Sequence, residues 1–408
     1  MMLFGSLPLE VLLLICDNLN VADLNALART CSSMVGLLDP LLYQQAIKSG
    51  NYKSQFIFAV IHGQSSVVSK FFKAGASMSA FDKCRYYFMS PNDKDCLDLA
   101  RVLEYRGIYN FHPLLAASFY GYIDIVRILI SEGNVNVNFQ NEHTCWGKNA
   151  LRVAIWRNHP DIIKLLLEHK AKIESIDRRS IRVHSPIVVA VLCGNKTALK
   201  LIFDELSIRS NNPKLRGQKK VGFFKKIEHH CAEAFVEACL RGIKPTIVNM
   251  LLRQGGIDVN LRVDQDRLLS HAARYHHVSI VQLLVRQGAR MENESDCGIA
   301  TAMRYSHKIG VGDIKQRQIL TGIVIYLLKS GCNVANGGIH ACAVWFMANL
   351  EEPRPFEFGG DRQREEIKRL LLKNGYDPKK CQHGCGEAHS LKQYDEMQPF
   401  LYLPRRSW

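Results

Sequence analysis

Pairs of short apolar segments, each pair divided by a glycine, recur along most of the chain. In the clearest pair, Pro113 opens the first segment and Gly121 closes it. Asp124 opens the second segment, whose apolar residues keep helical spacing as far as Ile130. Proline costs nothing in the first turn of a helix, where its missing N–H has no partner, and glycine readily adopts the left-handed conformation that ends a helix. The pattern therefore predicts two short helices over residues 113–133.

The same order of residues returns farther along the chain, most clearly over residues 149–167 and 267–289. The glycines Gly255 and Gly288, which close two successive copies, lie 33 residues apart. The unit resembles the ankyrin repeat, whose length is about 33 residues. Of the Thr-Pro-Leu-His signature of that family, the first copy keeps only Pro113-Leu114. Weaker copies are found over residues 56–76, 185–202 and 235–260.

This resemblance implies an all-α ankyrin-repeat solenoid of about seven or eight degenerate repeats over residues 51–380. Each repeat buries its apolar faces only against its neighbours, so we expect a long concave binding face rather than a deep pocket. The late copies exceed the repeat length, and their extra residues are expected to be loops between helices. The predicted insertions lie near residues 205–230, 300–320 and 348–362, and residues 381–408 are assigned to a C-terminal tail.

Residues 1–50 follow a different pattern and form a separate predicted domain. Apolar side chains at positions 11–15 cover nearly the whole circumference of the first predicted helix, and a second helix is predicted to begin near Asp23. A module of this length has too little interior to bury so much apolar surface. It therefore needs either the neighbouring repeats or a partner protein to cover it.

The residues of this module resemble the F-box in Leu7-Pro8, Glu10-Val11, Ile15, Leu19, Asp23-Leu24, the segment Arg29-Thr30-Cys31 and Leu42-Tyr43. At Leu42-Tyr43 the family usually has Trp as the last residue. The resemblance implies a three-helix module that docks to a Skp-type adaptor of a cullin ubiquitin ligase. By the match, the residues facing the adaptor are Leu7, Pro8, Leu14, Ile15, Leu19 and Leu24. An F-box followed by ankyrin repeats is similar to an arrangement frequent in filamentous fungi.

Positive charge is distributed unevenly along the chain. Lys and Arg number 53 against 38 Asp and Glu, a net charge of +15, yet residues 1–50 are slightly acidic. The densest basic stretch, residues 214–226, holds six Lys or Arg and no acidic residue. We expect a solvated loop there; the alternative is a nuclear-import signal or a patch for an anionic partner. No motif that reads DNA or RNA accompanies the charge, so nucleic acid is not an expected partner.

Cysteine usage and hydropathy bear on the compartment. The 13 cysteines are scattered, and several, such as Cys193 and Cys239, fall within apolar helical patterns. Reduced thiols in a cytoplasmic or nuclear protein fit this spacing better than a secreted disulfide framework does. No run of ~18 uninterrupted apolar residues occurs, so neither a membrane span nor a membrane partner is expected.

No catalytic motif is present, and we predict a protein that is not an enzyme and needs no cofactor. Gly217 and Gly222 have the spacing of a phosphate loop, but Phe223-Phe224 replace the required Lys and Ser or Thr. Near the C-terminus, two cysteines and two histidines could ligate zinc, although their spacing matches no common zinc finger. A polar tail with incidental cysteines is the alternative, and it is the one expected. The four residues are Cys381, His383, Cys385 and His389.

The partner-binding residues of an ankyrin array are expected at the turn tips between repeats. Aromatic and Arg side chains dominate the energetics of protein interfaces. Two tips, residues 139–146 and 176–184, carry such side chains. The candidates are Trp146, Arg178, Arg179 and Arg182.

The two resemblances together predict a protein-interaction adaptor, acting as a substrate receptor of an SCF-type cullin ubiquitin ligase. The F-box-like module would bind the Skp-type adaptor, and the repeats would hold an unknown protein substrate. The alternative is an ankyrin scaffold or a transcriptional or pathway regulator whose N-terminal helices only cap the solenoid, because terminal repeats need such a cap.

Overall fold

In a computed structural model, the chain forms two compact units, residues 1–211 and residues 212–408. In the part of the chain that the structure describes, nearly all secondary structure is helical, with a single two-stranded hairpin. The predicted all-α class is therefore confirmed. The described residues are 11, 14–16, 18–30, 32–50, 52–81, 112–139, 149–173, 185–211, 218–263, 266–291, 298–308, 314–335, 343 and 360–377.

Among the described residues of the first unit, positions 11 and 14–16 are helical, and ten longer helices follow. In chain order these are α1 (Val21–Thr30), α2 (Ser32–Lys48), α3 (Tyr52–Ile61), α4 (Ser65–Lys73), α5 (Pro113–Tyr120), α6 (Ile123–Ser131), α7 (Ala150–Trp156), α8 (Pro160–Glu168), α9 (Pro186–Leu192) and α10 (Lys196–Ser210), with a 3-10 helix at Met78–Phe81 between α4 and α5.

The described part of the second unit has seven helices of known bounds and the hairpin. In chain order these are α11 (Gln218–Arg241), α12 (Pro245–Gln254), β1 (Arg262–Val263), β2 (Asp266–Arg267), α13 (Leu268–Arg274), α14 (Val278–Arg286), α15 (Gly298–Lys308), α16 (Ile314–Lys329) and α17 (Gly360–Lys373). The strands are antiparallel, with Arg262 opposite Arg267.

Local sequence explains where the helices of the repeats begin and end. Pro113 occupies the first turn of α5, and Gly121 ends that helix in the left-handed conformation, with φ of 86°. Asn149 caps α7 by accepting a hydrogen bond from the backbone N–H of Arg152, and Ser185 caps α9 in the same way. Such caps satisfy backbone donors that have no partner within the helix.

Neighbouring helical pairs stack in order within each unit. In the first unit, first helices pack on first helices (α3, α5, α7, α9), and second helices pack on second helices (α4, α6, α8, α10). In the second unit, α11, α13 and α15 pack in the same way, as do α12, α14 and α16, and α17 packs on α16. Each pair buries its apolar faces against the next pair, as expected of ankyrin repeats.

The end of one first helix is covered by a ring from the next repeat. Nε2 of His159 donates to the carbonyl oxygen of Phe119 over 3.0 Å, and a Cβ added at Gly121 would lie 2.6 Å from the His159 ring. In the second unit, the His277 ring similarly lies 3.1 Å from such a Cβ at Gly242. Glycine at the end of the first helix is therefore required for close stacking, as well as for the left-handed turn.

Two of the predicted loop insertions are instead largely helical. Near residues 205–230, α10 extends to Ser210 and α11 begins at Gln218. Near residues 300–320, α15 and α16 cover 298–308 and 314–329. The physical reason in α11 is composition: residues 218–241 contain no proline and many good helix formers. The prediction of a loop for the basic stretch was therefore wrong from residue 218 onward.

Candidate protein-interaction surfaces

The N-terminal module has a small core of its own. Cys16, Leu24 and Leu38 are fully or almost fully buried. Two hydrogen bonds add to the contacts within the module. Nε2 of Gln45 donates to the carbonyl oxygen of Cys16 over 3.2 Å. Oδ1 of Asn20 accepts from the backbone N–H of Asp23, at the start of α1, over 2.9 Å. The remaining core contacts come from half-buried leucines, namely Leu19, Leu27, Leu41 and Leu42.

Apolar side chains on the first helical turns of the module remain exposed. Val11 is 41% exposed and Leu14 is 64% exposed. The two positions are three residues apart, so both lie on the same side of the helix. Exposed apolar side chains grouped in this way are typical of surfaces that bind another protein.

The predicted adaptor-facing residues differ in their exposure to solvent. Leu14 is exposed, whereas Ile15 and Leu19 are half-buried. Leu24 has no exposed surface and lies in the core of the module, so it cannot face an adaptor in this conformation. The assignment of Leu24 is corrected: an apolar residue in a helix that is covered from two sides can serve the core instead of a partner. Leu7 and Pro8 lie outside the described residues.

Helix α2 of the module packs directly on the first ankyrin repeat. The Tyr43 ring on α2 meets the Phe71 ring on α4 edge-on, with centroids 4.7 Å apart and an interplanar angle of 81°. Lys70 forms an ion pair with Asp39 and lies 5.9 Å from the centroid of the Tyr43 ring. Tyr43, which replaces the usual Trp of the F-box pattern, therefore joins the module to the repeats.

The repeats contain a buried histidine side chain that stays uncharged. His112 precedes α5, is only 3% exposed, and stacks on Phe139 with ring centroids 3.9 Å apart and an interplanar angle of 13°. Burial lowers the pKa of His112 to about 3. Imidazole is therefore neutral there at physiological pH, since the charged form is disfavoured in an apolar environment.

A buried arginine lies near the start of α7. Arg152 is 2% exposed, and none of its three guanidinium nitrogens has a hydrogen-bond partner among the described residues. Burial lowers the pKa of Arg152 to about 10, so the side chain still carries its charge at neutral pH. A buried, unpaired charge of this kind destabilises a fold.

A second buried charged side chain, that of Glu205, has hydrogen-bond partners, in contrast to Arg152. Glu205 on α10 is 8% exposed and accepts from Nε of Arg209 over 2.8 Å and from Nζ of Lys170 over 3.4 Å. The guanidinium of Arg209 also donates to the carbonyl oxygens of Leu167 (3.3 Å) and Ala171 (3.0 Å). This network ties α10 to the C-terminal end of the preceding repeat.

Several of the predicted site residues lie outside the part of the chain that the structure describes. The candidate partner-binding residues and the candidate zinc ligands are outside the described residues: Trp146, Arg178, Arg179, Arg182, Cys381, His383, Cys385 and His389. Within the described ranges, no group of three or more His, Cys, Asp or Glu side chains is arranged to hold a metal ion. Of the helices searched there, none has the length and apolarity needed to cross a membrane.

Sequence reasoning included Val11 in the F-box resemblance but not among the adaptor-facing residues, and it missed the junction between Tyr43 and Phe71. A signal for Val11 was available, because its spacing of three from Leu14 places both on one helix face. No signal marked Phe71 as the partner of Tyr43, since that contact joins two helices separated by a further helix.

Two family models match the chain. A model described as F-box-like matches residues 4–48, and one described as ankyrin repeats (3 copies) matches residues 56–177 and 114–214. Among curated proteins, the chain is similar to the ankyrin repeat and KH domain-containing protein mask-1 of Caenorhabditis elegans, with 24% identity over 230 residues. That match covers 52% of this chain but only 8% of the relative.

Two solved structures are also similar to the chain. These are the human ASB11 ankyrin repeat domain (18% identity, TM-score 0.41) and the ankyrin repeat domain of Bcl-3, a member of the IkappaB protein family (19% identity, TM-score 0.44). Each match covers 63% of this chain and 97% of the solved chain. The family matches and the stacked helical pairs agree on both parts of the molecule. The chain has an F-box-like module followed by ankyrin repeats.

Proposed function

We propose that this chain is a protein-interaction adaptor, the substrate receptor of an SCF-type cullin ubiquitin ligase, working in the cytoplasm or the nucleus. The F-box-like module would dock to a Skp-type adaptor, and the ankyrin repeats would hold a protein substrate. The chain would perform no bond chemistry itself. By binding both partners, it would raise the local concentration of substrate lysines near the ligase.

The exposed apolar pair Val11 and Leu14 is the observation that carries this proposal. Both side chains are exposed, whereas α2 packs on the repeats through Tyr43. Burying an exposed side chain of this size at an interface contributes about 1.5–3 kcal/mol. The proposed contact set is thus Val11 and Leu14, with Leu7, Pro8, Ile15 and Leu19 retained from the F-box resemblance.

The junction with the repeats supports a receptor that holds its two partners at a defined distance. The ring contact of Tyr43 with Phe71 and the ion pair of Lys70 with Asp39 restrict motion between the module and the first repeat. A module on a flexible linker would instead sample many distances, and the effective concentration of substrate would fall. The substrate itself is proposed to contact the turn tips that carry Trp146, Arg178, Arg179 and Arg182, because aromatic and Arg side chains supply most interface energy.

The proposal is tested by co-purification with a Skp-type adaptor. Leu14→Asp places a charge in the proposed contact and is expected to lower adaptor recovery at least tenfold. Ile208→Asp is the matched control, because Ile208 is also 64% exposed but lies on α10, far along the chain from the module. Equal adaptor recovery for both variants and for the unmodified chain would refute docking through this surface.

A scaffold whose module only caps the repeats is the second candidate function, and the packing of α2 on α4 favours it. In that case Tyr43→Ala should lower the stability of the first unit, yet no adaptor should co-purify with the unmodified chain. Absence of the adaptor from every preparation, together with partners that bind the repeats alone, would select the scaffold and exclude the ligase receptor.

A further inference from the structure

The first turns of α11 extend beyond the packed part of the second unit. Val221 is 68% exposed and Phe224 is 48% exposed, whereas Ile227 is 6% exposed. A Cβ added at Gly222 would meet no atom within 4 Å. We call residues 218–226 the basic arm; it is helical, and solvent reaches most of its surface.

The exposed apolar residues of the basic arm continue the face that α11 buries farther along. Val221 and Phe224 precede Cys231 and Phe235 at spacings of three, seven and four residues, which keep all four side chains on one face of a helix. Cys231 and Phe235 have no exposed surface. The pattern typical of a buried face therefore extends into a region where nothing among the described residues covers it.

Lysines surround this apolar stripe. Lys220 and Lys225 are exposed on either side of it, Lys226 is exposed on the opposite face, and Lys219 also belongs to the arm. Two further basic residues precede the arm in sequence, and no acidic residue occurs between Glu205 and Glu228. The arm therefore combines a narrow apolar stripe with a strongly positive polar face.

We propose that the basic arm binds the surface of a membrane that contains anionic lipids. A helix with Phe on one face and Lys on the other lies in the interface, with its apolar face among the headgroups and acyl chains and its lysines near the phosphates. Clusters of four to eight basic residues on such a helix are typical of binding to anionic lipids. This placement needs no spanning segment, so the lack of an apolar run long enough to cross a bilayer does not oppose it.

Lipid fits these observations better than the other anionic partners do. A nuclear-import signal would account for the lysines but not for the exposed apolar side chains of Val221 and Phe224 among them. The grooves that bind amphipathic helices use several anchors over two or more turns, but the arm exposes mainly Val221 and Phe224. A lipid surface requires no matching shape, and it accepts charge spread around the helix.

The test measures co-sedimentation of the full chain with vesicles. Phosphatidylcholine vesicles containing phosphatidylserine in about a 7:3 molar ratio should bind the chain, and pure phosphatidylcholine vesicles should not. Each lysine near the surface contributes about a fivefold change in affinity, so the double variant Lys220→Gln and Lys225→Gln should bind roughly 25-fold more weakly. Val221→Ser with Phe224→Ser should also weaken binding at least tenfold.

Matched control variants lie in the first unit. Lys164 and Lys200 are exposed lysines outside the arm, and Ile208 matches Val221 in exposure. Gln at both lysines, or Ser at Ile208, should leave vesicle binding unchanged, and circular dichroism should show unchanged helix content in all variants. Phe224→Leu, which keeps an apolar side chain, should restore binding relative to Phe224→Ser.

Three results would overturn the proposal. One is equal sedimentation with neutral and anionic vesicles, and another is binding to anionic vesicles that the arm variants leave intact. The third is arm-dependent binding to soluble polyglutamate or to single-stranded DNA with no binding to vesicles, which would assign the arm to an acidic protein or to nucleic acid instead. The expected binding should also weaken as salt is raised, because the charges act over a distance of about 10 Å or less.

Discussion

Replacing Arg152 by Met should stabilise the protein, which is an unusual outcome for a residue that is 98% buried. The guanidinium lies near the start of α7, and its nitrogens have no hydrogen-bond partner in the described ranges. Replacing a buried ion pair with apolar side chains of similar volume is often neutral or stabilising, and an unpaired buried charge lacks even the attraction of a partner. The cap of α7 would persist, because Asn149 accepts from the backbone N–H of residue 152 rather than from its side chain.

The magnitude follows from the effect of burial on the charged form. Burial lowers the pKa of Arg152 from 12.5 to about 10. At about 1.36 kcal/mol for each pKa unit, retaining the charge costs the folded state about 3 kcal/mol at neutral pH. Met keeps an unbranched apolar stem, so most packing of the Arg methylenes is retained. We therefore expect Arg152→Met to raise the free energy of unfolding by about 1–3 kcal/mol.

The assay is urea denaturation at pH 7, with the same substitution at a satisfied arginine as the control. Arg209→Met removes the partner of Glu205 and the donor to Leu167 and Ala171, so it should lower the free energy of unfolding by about 2–4 kcal/mol. The two variants change charge and volume equally, and only the pairing of the guanidinium differs. A loss of 1 kcal/mol or more in Arg152→Met would refute the reasoning, because it would mean that Arg152 is paired in the folded protein.

Two further predictions concern the ankyrin repeats of the first unit. The folded-state pKa of His112 is about 3, below the unfolded value of 6.5, so its contribution to stability is complete above pH 6.5 and is lost as the pH falls toward 3. Because of this group, the free energy of unfolding should be about 2 kcal/mol lower at pH 5 than at pH 7. His112→Phe should remove that difference, and an unchanged difference would contradict the prediction. Gly121→Ala should lower the melting temperature more than Gly75→Ala does. Both glycines have positive φ, which costs about 1–2 kcal/mol with a Cβ, but only the Cβ at Gly121 would displace His159. Equal losses would show that the close approach is unimportant.

The helices of the repeats could be predicted because their signals are local. Pro113 and Gly121 act through the backbone conformation of their own turn, and the caps at Asn149 and Ser185 reach only three residues ahead. Such signals need no knowledge of tertiary packing. The stacking order of neighbouring repeats then follows from their adjacency in sequence.

Burial could not be predicted where one apolar pattern serves two roles. Leu14 and Leu24 both belong to the F-box resemblance, yet Leu14 is 64% exposed and Leu24 is fully buried. The same difficulty affects α11, where Val221 and Phe224 share the spacing of the buried Cys231 and Phe235. Periodicity identifies a helix face, but only tertiary structure decides whether another element covers it.

Capping and docking are separable properties of the N-terminal module, because they use different residues of it. Tyr43 contacts Phe71 of the first repeat, whereas Val11 and Leu14 face solvent. Tyr43→Ala removes the ring contact of a half-buried side chain, worth about 0.5–1.5 kcal/mol beyond its apolar area, so it should lower the melting temperature of the first unit. Leu14→Asp alters only exposed surface and should leave that temperature unchanged while reducing adaptor recovery. If Leu14→Asp instead lowered the melting temperature as much as Tyr43→Ala does, its effect on adaptor recovery would reflect unfolding, and docking through Leu14 would lose its support.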